Sequence, residues 1–421
     1  MSSDNLLNIL KARGFIDQTS SAELEAFLEK PRRVYVGFDP TAPSLHIGNL
    51  VGICALRWFQ IHGHTPVVIL GGATAKIGDP SGKSIERPLL SKEEIAHNIS
   101  ALQKIFAPIL DPEGKYPKPI FFNNEQWLGR FTLLDFMRDV GKFFRIGPML
   151  SKDSVKTRLN SPEGISFTEF TYQALQGYDF YHLFEQEDIS IQMGGSDQWG
   201  NITAGIELTR KILGKAVFGI TYPLLTKSDG TKFGKTEEGA VWLSKELLSP
   251  YKFYQYFVRL SDHDVIQLMR MLTFISIEEI QDYEKNLGHD PQAAQKRLAE
   301  EVTRLVHGDL ELASAQKATE VATPGKKIAL SADGLKALAD QIPTKRLVSA
   351  NFLDQTLIDV LIASGLAESK GALRRLIQNG GLYLNENRIE DPSYILSKKD
   401  LLDRHAIVAL GKKNKALLVV E

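Results

Sequence analysis

Lys232 and Lys235 flank Phe233-Gly234, directly after Asp229-Gly230-Thr231. An Asp-Gly turn and a second glycine make a loop able to swing two ammonium groups onto one polyphosphate, with the Thr236 hydroxyl following. Taken alone, this loop also reads as a solvated turn. Far upstream, Asp39-Pro40-Thr41 and Ser44-Leu45-His46-Ile47-Gly48-Asn49 follow a short apolar run. A lone His there is usually a cap or surface residue, but a neighbouring Gly and Asp-Pro-Thr point to a phosphate site. A third set, Tyr172, Gln176 and Asp179, recurs at i, i+4 and i+7. On a helix this spacing puts a phenol, an amide and a carboxylate on one stripe. Phe167, Phe170, Leu175, Tyr178 and Phe180 leave little room for a solvated face, so the stripe suits a small amphoteric ligand. Gly78-Asp79-Pro80-Ser81-Gly82-Lys83-Ser84 is one residue short of a P-loop between its glycines, and Pro80 lacks an N–H. Lys83 and Arg87 remain as candidate phosphate cations.

These groups need a scaffold. The run Val34 to Phe38 predicts a buried strand, and Asp39-Pro40 turns the chain out of it. From about Gly48, Leu50, Ile53, Leu56 and Phe59 predict a long helix. His46, Gly48 and Asn49 then lie at a helix N-terminus, where unsatisfied N–H groups attract phosphate. Further strands are predicted over residues 67–70, 119–122 and 189–193, and Ser91-Lys92-Glu93-Glu94 is a capping box opening a helix. Strands spaced by helices predict an α/β fold with a Rossmann-like, doubly wound, mostly parallel sheet and ligands at the strands' carboxyl ends. The stripe belongs to a helix predicted over residues 165–186. Four segments follow: a catalytic domain over 1–230, the lysine loop and a strand-free helical domain over 231–320, a linker over 321–350, and a small α+β unit over 351–421.

A net charge of −1 excludes a strongly basic whole-protein field, so any nucleic-acid affinity must come from local patches. The single cysteine, Cys54, excludes an internal disulfide and argues against a thiolate zinc site; no metal site is predicted. Leu6, Leu7 and Leu10 read as an amphipathic helix rather than a leader, and no run approaches membrane-span length. A soluble cytoplasmic protein is expected.

Together, His46-Ile47-Gly48-Asn49 and Lys232-Phe233-Gly234-Lys235-Thr236 resemble the paired signatures of class I aminoacyl-tRNA synthetases, His-Ile-Gly-His and Lys-Met-Ser-Lys-Ser. The stripe, the stretch 35–49 and Ser196-Asp197-Gln198-Trp199-Gly200-Asn201 resemble the bacterial-type tyrosyl branch of that family. The resemblance implies that Tyr35 and Asp179 bind a tyrosine hydroxyl, and that Asp79, Tyr172 and Gln176 hold its ammonium, with Gln192 nearby. It implies ATP contacts at Gly37, Asp39, His46, Gly48, Gly195, Asp197, Gln198 and Lys235. Thr41, His46, Asn49, Lys83, Arg87, Lys232, Lys235 and Thr236 would serve the transferring phosphates, with Mg2+ carried by ATP and pyrophosphate. Asn49 replaces the signature's second histidine, and Val36 and Gly52 stand where relatives often have ribose-touching groups. The implied reaction is attack of the tyrosine carboxylate on the α-phosphate, then transfer of the tyrosyl group to tRNA(Tyr).

The C-terminal unit resembles a small RNA-binding fold. Lys370, Arg374 and Arg375, with Lys412, Lys413 and Lys415, are its candidate phosphate contacts, and Lys152, Lys156 and Arg158 form a second candidate patch. The family implies a homodimer. Two other readings are a tryptophanyl enzyme, against which Asp179 paired with Tyr35 argues, and a non-catalytic RNA-binding paralogue, suggested by Asn49.

Overall fold

The computed structural model describes residues 5–81, 90–110, 113–226, 233–236, 239–322, 335, 339, 342–348, 352–411 and 414–421. They fall into two compact units, one of Met1–Leu247 with Leu260–Val306, the other of Leu248–Arg259 with His307–Glu421.

The first unit is built on a six-stranded sheet of β1 (Gln18–Thr19), β2 (Arg33–Phe38), β3 (Thr65–Leu70), β4 (Ile120–Asn123), β5 (Ile189–Gly195) and β6 (Phe218–Tyr222). Their spatial order is β1-β6-β5-β2-β3-β4. From β2 the chain steps outward through β3 and β4, then returns to lay β5 and β6 on the other side. All of these pairings are parallel; only the short edge strand β1 runs antiparallel. The order reverses between β2 and β5, and at such a switch point a crevice opens beyond the strands' carboxyl ends. The doubly wound α/β architecture is therefore as the sequence predicts.

Strands β3, β5 and β6 are buried almost throughout, as parallel strands covered on both faces must be. The helix Ile47–Ile61 is buried along most of its length and packs on β2, β3 and β5. The predicted Ser91 capping box is present at the start of the helix Lys92–Phe106. The stripe residues ride on the helix Phe167–Glu187, which packs against the helix Trp199–Leu213. Glycines permit that approach: a Cβ on Gly205 would lie 2.7 Å from Phe180 Cβ. After the sheet come a two-stranded ribbon of β7 (Lys235–Thr236) and β8 (Gly239–Ala240), and the helices Asp262–Leu272 and Ile277–Asn286. No helix among the described residues is long and apolar enough to cross a membrane.

The second unit holds a five-stranded sheet of β9 (Thr344–Leu347), β10 (Leu382–Leu384), β11 (Asn387–Arg388), β12 (His405–Leu410) and β13 (Asn414–Val420), in the order β11-β10-β12-β13-β9. The helices Leu357–Ala363 and Lys370–Gln378 supply Leu357, Leu361, Leu373 and Ile377 to its core. Strand β9 falls within residues 321–350, where the sequence predicts only a linker. Its segment Thr-Lys-Arg-Leu buries a single apolar side chain at a sheet edge, so it carries no strand-like alternation. The helix Pro291–Ala322 contains non-helical backbone at Gly308, with φ 84°.

Candidate active site

Register places Tyr35 on β2 directly beside Gln192 on β5. Both side chains are buried, and among the described residues Tyr35 Oη and Gln192 Oε1 have no hydrogen-bond partner. A buried polar atom without a partner costs about 1–3 kcal/mol. Two such atoms, on residues paired in register at a switch point, mark a place where a ligand supplies the missing bonds. Phe180 packs edge-on against the Tyr35 ring, with centroids 5.4 Å apart. Burial, and then the Asp179 carboxylate, push the Tyr35 phenol well above its ordinary value, so it stays protonated.

Asp179 is held by residues the sequence reading passes over. Trp127 Nε1 donates to Oδ1 at 2.6 Å and Asn124 Nδ2 to Oδ2 at 3.0 Å. Burial raises the carboxyl to about 7, against the lowering effect of those two bonds and with a further push from Asp39. Asn124 follows the carboxyl end of β4, where polar residues of such sheets gather, so its position was a usable signal. Nothing in the sequence singles out Trp127.

From Asn124 a bonded chain runs along the site. Its Nδ2 also donates to Thr74 Oγ1 at 3.0 Å, and that hydroxyl donates to Asp39 Oδ1 at 2.8 Å. Tyr172 Oη donates to Asp39 Oδ2 at 2.9 Å. A Cβ on Gly71 would fall 2.0 Å from Asp39 Oδ1, which explains the glycine at the end of β3. A second cluster sits around Asp79. Gln198 Nε2 donates to its Oδ2 at 2.7 Å, and Asn201 Nδ2 donates to Gln176 Oε1 at 3.0 Å and Gln198 Oε1 at 3.2 Å. Asp39 is thus bonded directly to Tyr172 and Asp79 directly to Gln198, while Gln176 joins Asp79 through Asn201 and Gln198. Asn201 is a further residue that sequence reasoning missed.

His46 is the N-cap of the Ile47–Ile61 helix, where Nδ1 accepts from Gly48 N–H at 3.1 Å. Nδ1 therefore carries no proton, and Nε2 is left to bear one. Asn49 Oδ1 accepts in return from His46 N–H at 3.1 Å, closing a capping box. The residue that departs from the family signature fixes the histidine through its amide oxygen. Gly48 is required because a Cβ there would lie 2.9 Å from His46 Cε1. Thr41 and Gly37 are exposed at the mouth of the crevice.

The two signatures meet. Ile47 N–H donates to Val241 O at 2.9 Å and Leu243 N–H to Leu45 O at 2.8 Å, zipping the segment after β8 onto the His46 loop. Gly234, at φ +83°, lies so close that a Cβ would stand 2.3 Å from Ile47 Cγ2. Lys83, Arg87 and Lys232 lie outside the described residues; of Lys235 and Thr236 the backbone is described, as β7. At the end of β5, Gly195 leads into a turn carrying Asp197 and Gln198, and a Cβ on Gly195 would lie 2.9 Å from Asp197 Oδ1. Asp197 also borders an open groove of about 780 Å³ with Ser196, Trp199 and Lys152.

The proposed RNA contacts divide. Arg158 is buried in an ion pair with Glu169 at 2.6 Å, so it is a structural cation and cannot meet phosphate. The sequence misleads here because Arg158 ends a short helix whose other cation, Lys156, is exposed. Lys152 is half-buried, its Nζ bonded to Gly200 O, and burial lowers its pKa to about 8. In the second unit Lys415 is buried against Glu386 at 2.6 Å and is likewise unavailable. Arg374 and Arg375 are exposed, and Lys370 is exposed while paired with Asp359 at 2.5 Å. Lys412 and Lys413 lie outside the described residues.

Comparison with known proteins agrees with this geometry. A family model described as "tRNA synthetases class I (W and Y)" matches residues 28–322, and one described as "Tyrosine--tRNA ligase SYY-like C-terminal domain" matches residues 334–418. The chain is 53% identical to a tyrosine–tRNA ligase of Protochlamydia amoebophila, over 98% of each chain. It is 47% identical to the chloroplastic/mitochondrial tyrosine–tRNA ligase of Arabidopsis thaliana, over 98% of this chain and 83% of that one. Among solved structures it resembles a C-terminally truncated mitochondrial tyrosyl-tRNA synthetase of Coccidioides posadasii, with 34% identity and TM-score 0.65 over 75% of this chain and 91% of that chain. A Rossmann-like switch point bearing both signatures, and matches that span nearly the whole chain, lead to one conclusion: the chain belongs to the class I tRNA synthetases of the tryptophan and tyrosine branch, and within it to the tyrosine–tRNA ligases.

Proposed function

We propose that the buried Tyr35–Gln192–Asp179 corner reads the phenol of tyrosine, while the His46 cap and the lysine loop act on ATP. As a tyrosine–tRNA ligase the protein activates tyrosine with ATP and passes the tyrosyl group to tRNA. The observation that carries the site reading is the pair of orphaned atoms, Tyr35 Oη and Gln192 Oε1, beside Asp179. A phenol can donate to Asp179 and accept from Tyr35. Phenylalanine leaves the Tyr35 hydroxyl orphaned, at a cost of about 1–3 kcal/mol, and gives the Asp179 carboxyl nothing beyond its Asn124 and Trp127 bonds. An indole offers neither partner a hydroxyl.

The tyrosine ammonium is assigned to Asp79, Tyr172 and Gln176, all within the two bonded clusters. Asp39 then faces the adenylate and Asp197 the ribose. The tyrosine carboxylate is itself the nucleophile: its oxygen bonds the α-phosphorus as the bond to the bridging oxygen of pyrophosphate breaks. No general base is required. Catalysis is positioning and charge stabilisation, supplied by the helix N-terminus at His46, by Thr41, and by Lys83, Arg87, Lys232 and Lys235. Mg2+ would come as part of the ATP substrate and would supply further neutralisation of its phosphate charge.

We assign tRNA phosphates to Lys156, Lys370, Arg374 and Arg375. A homodimer is proposed as well, supported by Leu133, Leu134, Met137, Ile146 and Phe167, large apolar side chains exposed by 50% or more on the first unit. The cytoplasm is the proposed compartment, in keeping with a lone, buried Cys54.

Exchange of labelled pyrophosphate into ATP tests the reading, with tyrosine, tryptophan and phenylalanine compared. Exchange should depend on tyrosine, with tryptophan and phenylalanine lower by at least about two orders of magnitude. Equal exchange with phenylalanine would remove Tyr35 and Asp179 from the phenol.

A further inference from the structure

Tyr222 ends β6, in register with Gly195 at the end of β5. Its ring reaches the second turn of the signature helix, where a Cβ on Gly52 would lie 2.6 Å from the Tyr222 hydroxyl and 3.4 Å from Val36 Cγ1. The glycine exists at the point where the phenol needs its space. Tyr222 is 8% exposed, and its hydroxyl makes no hydrogen bond among the described residues. Asp197 lies on the turn after Gly195, close enough for its charge to act on the phenol. Burial and that charge keep the phenol protonated, hence a donor.

A donor without an acceptor therefore stands at the carboxyl edge of the sheet, between the Asp197 turn and the helix capped by His46. Val36 on β2 and Gly52 on the helix, which border this space, offer no polar side-chain atom. We propose that the Tyr222 hydroxyl is a nucleotide-reading group that hydrogen-bonds a ribose hydroxyl of ATP above Gly52, opposite the Asp197 carboxylate. This rests on the placement of ATP proposed above. Carboxylate and phenol are complementary there: Asp197 can only accept, Tyr222 donates, and a vicinal diol offers both.

The test is tyrosine-dependent pyrophosphate exchange by the wild type and Tyr222→Phe, each with ATP, 2′-deoxy-ATP and 3′-deoxy-ATP. Phenylalanine keeps the ring over Gly52, and thermal unfolding checks that the fold is retained. The variant should raise the KM for ATP by about three- to tenfold, with the KM for tyrosine unchanged within twofold. Wild type and variant should use one of the two deoxy nucleotides equally, because the partner of the lost hydroxyl is already gone. An equal loss on all three nucleotides, or no loss on ATP, overturns the proposal. Gly52→Ala gives an independent arm: its methyl displaces the phenol, so it should mimic Tyr222→Phe in the wild type and add little in the Tyr222→Phe background. Additive losses count against it. A wild type with no tyrosine-dependent exchange would overturn the ATP placement itself, a result distinct from any loss confined to Tyr222→Phe.

Discussion

At the scale of single residues, Asp179 sets the terms of the amino-acid pocket. Burial lifts its folded-state pKa to about 7, above the ordinary carboxylate value. Between those two values the folded chain holds a proton that the unfolded chain releases. The resulting stability is full below the ordinary value and is lost as pH rises through about 7. Between pH 5.5 and 8 the wild type should therefore lose about 2–4 °C more in Tm than Asp179→Asn; scanning calorimetry of both proteins across that range decides it, and parallel curves would show Asp179 ionised throughout. The neighbours that hold this carboxyl, Asn124 and Trp127, show why residue-level reading stops short. Helical spacing brought Tyr172, Gln176 and Asp179 onto one stripe, because all three share an element. Asn124 and Trp127 come from another segment altogether, and no periodicity connects them to the stripe. Arg158 fails in the opposite direction: its charge is plain in the sequence and its burial is not.

At the scale of elements, the apolar runs of β2, β3, β4 and β5 were legible, as were the capped helices, whereas β6, buried throughout, was not read as a strand. Two edge strands were not legible either, β1 and β9: Gln18–Thr19 are both exposed, and Thr344–Leu347 buries only its last residue, so neither alternates. Sequence also could not show that the two signatures touch. That contact runs through Gly234, where a left-handed φ and the 2.3 Å that would separate an added Cβ from Ile47 Cγ2 admit no side chain. Gly234→Ala should lower the exchange kcat by about tenfold or more, a barrier increase of roughly 1.4 kcal/mol, with the KM for tyrosine little changed. Ile47→Ala in the same chain should restore part of the loss. Steady-state kinetics of both variants make the comparison, and an unaltered kcat in Gly234→Ala would detach the loop's backbone from the phosphate site.

At the scale of the whole molecule, a near-neutral chain that handles tRNA must rely on a few exposed cations, and the two classes of cation separate by experiment. Arg374→Ala and Arg375→Ala should each weaken tRNA charging and reduce the salt dependence of tRNA binding by about one unit of log–log slope, leaving pyrophosphate exchange intact. Arg158→Met instead strands Glu169 in the interior and should cost about 3–5 kcal/mol of stability, measured by denaturant unfolding. An Arg158→Met protein with normal stability and impaired charging would reverse that assignment. The sheet's order has one more consequence, and it concerns time. Strands β2 and β5 lie side by side, yet every residue from 39 to 188 separates them along the chain. Their docking is a late, non-local step, because so long a loop must close before the pairing repays its entropy. Tyr35 and Gln192 become neighbours only at that step. A refolding chain would thus gain its secondary structure and bury its apolar surface before it could hold tyrosine, and capture of the amino acid would clock the last event of assembly rather than the first.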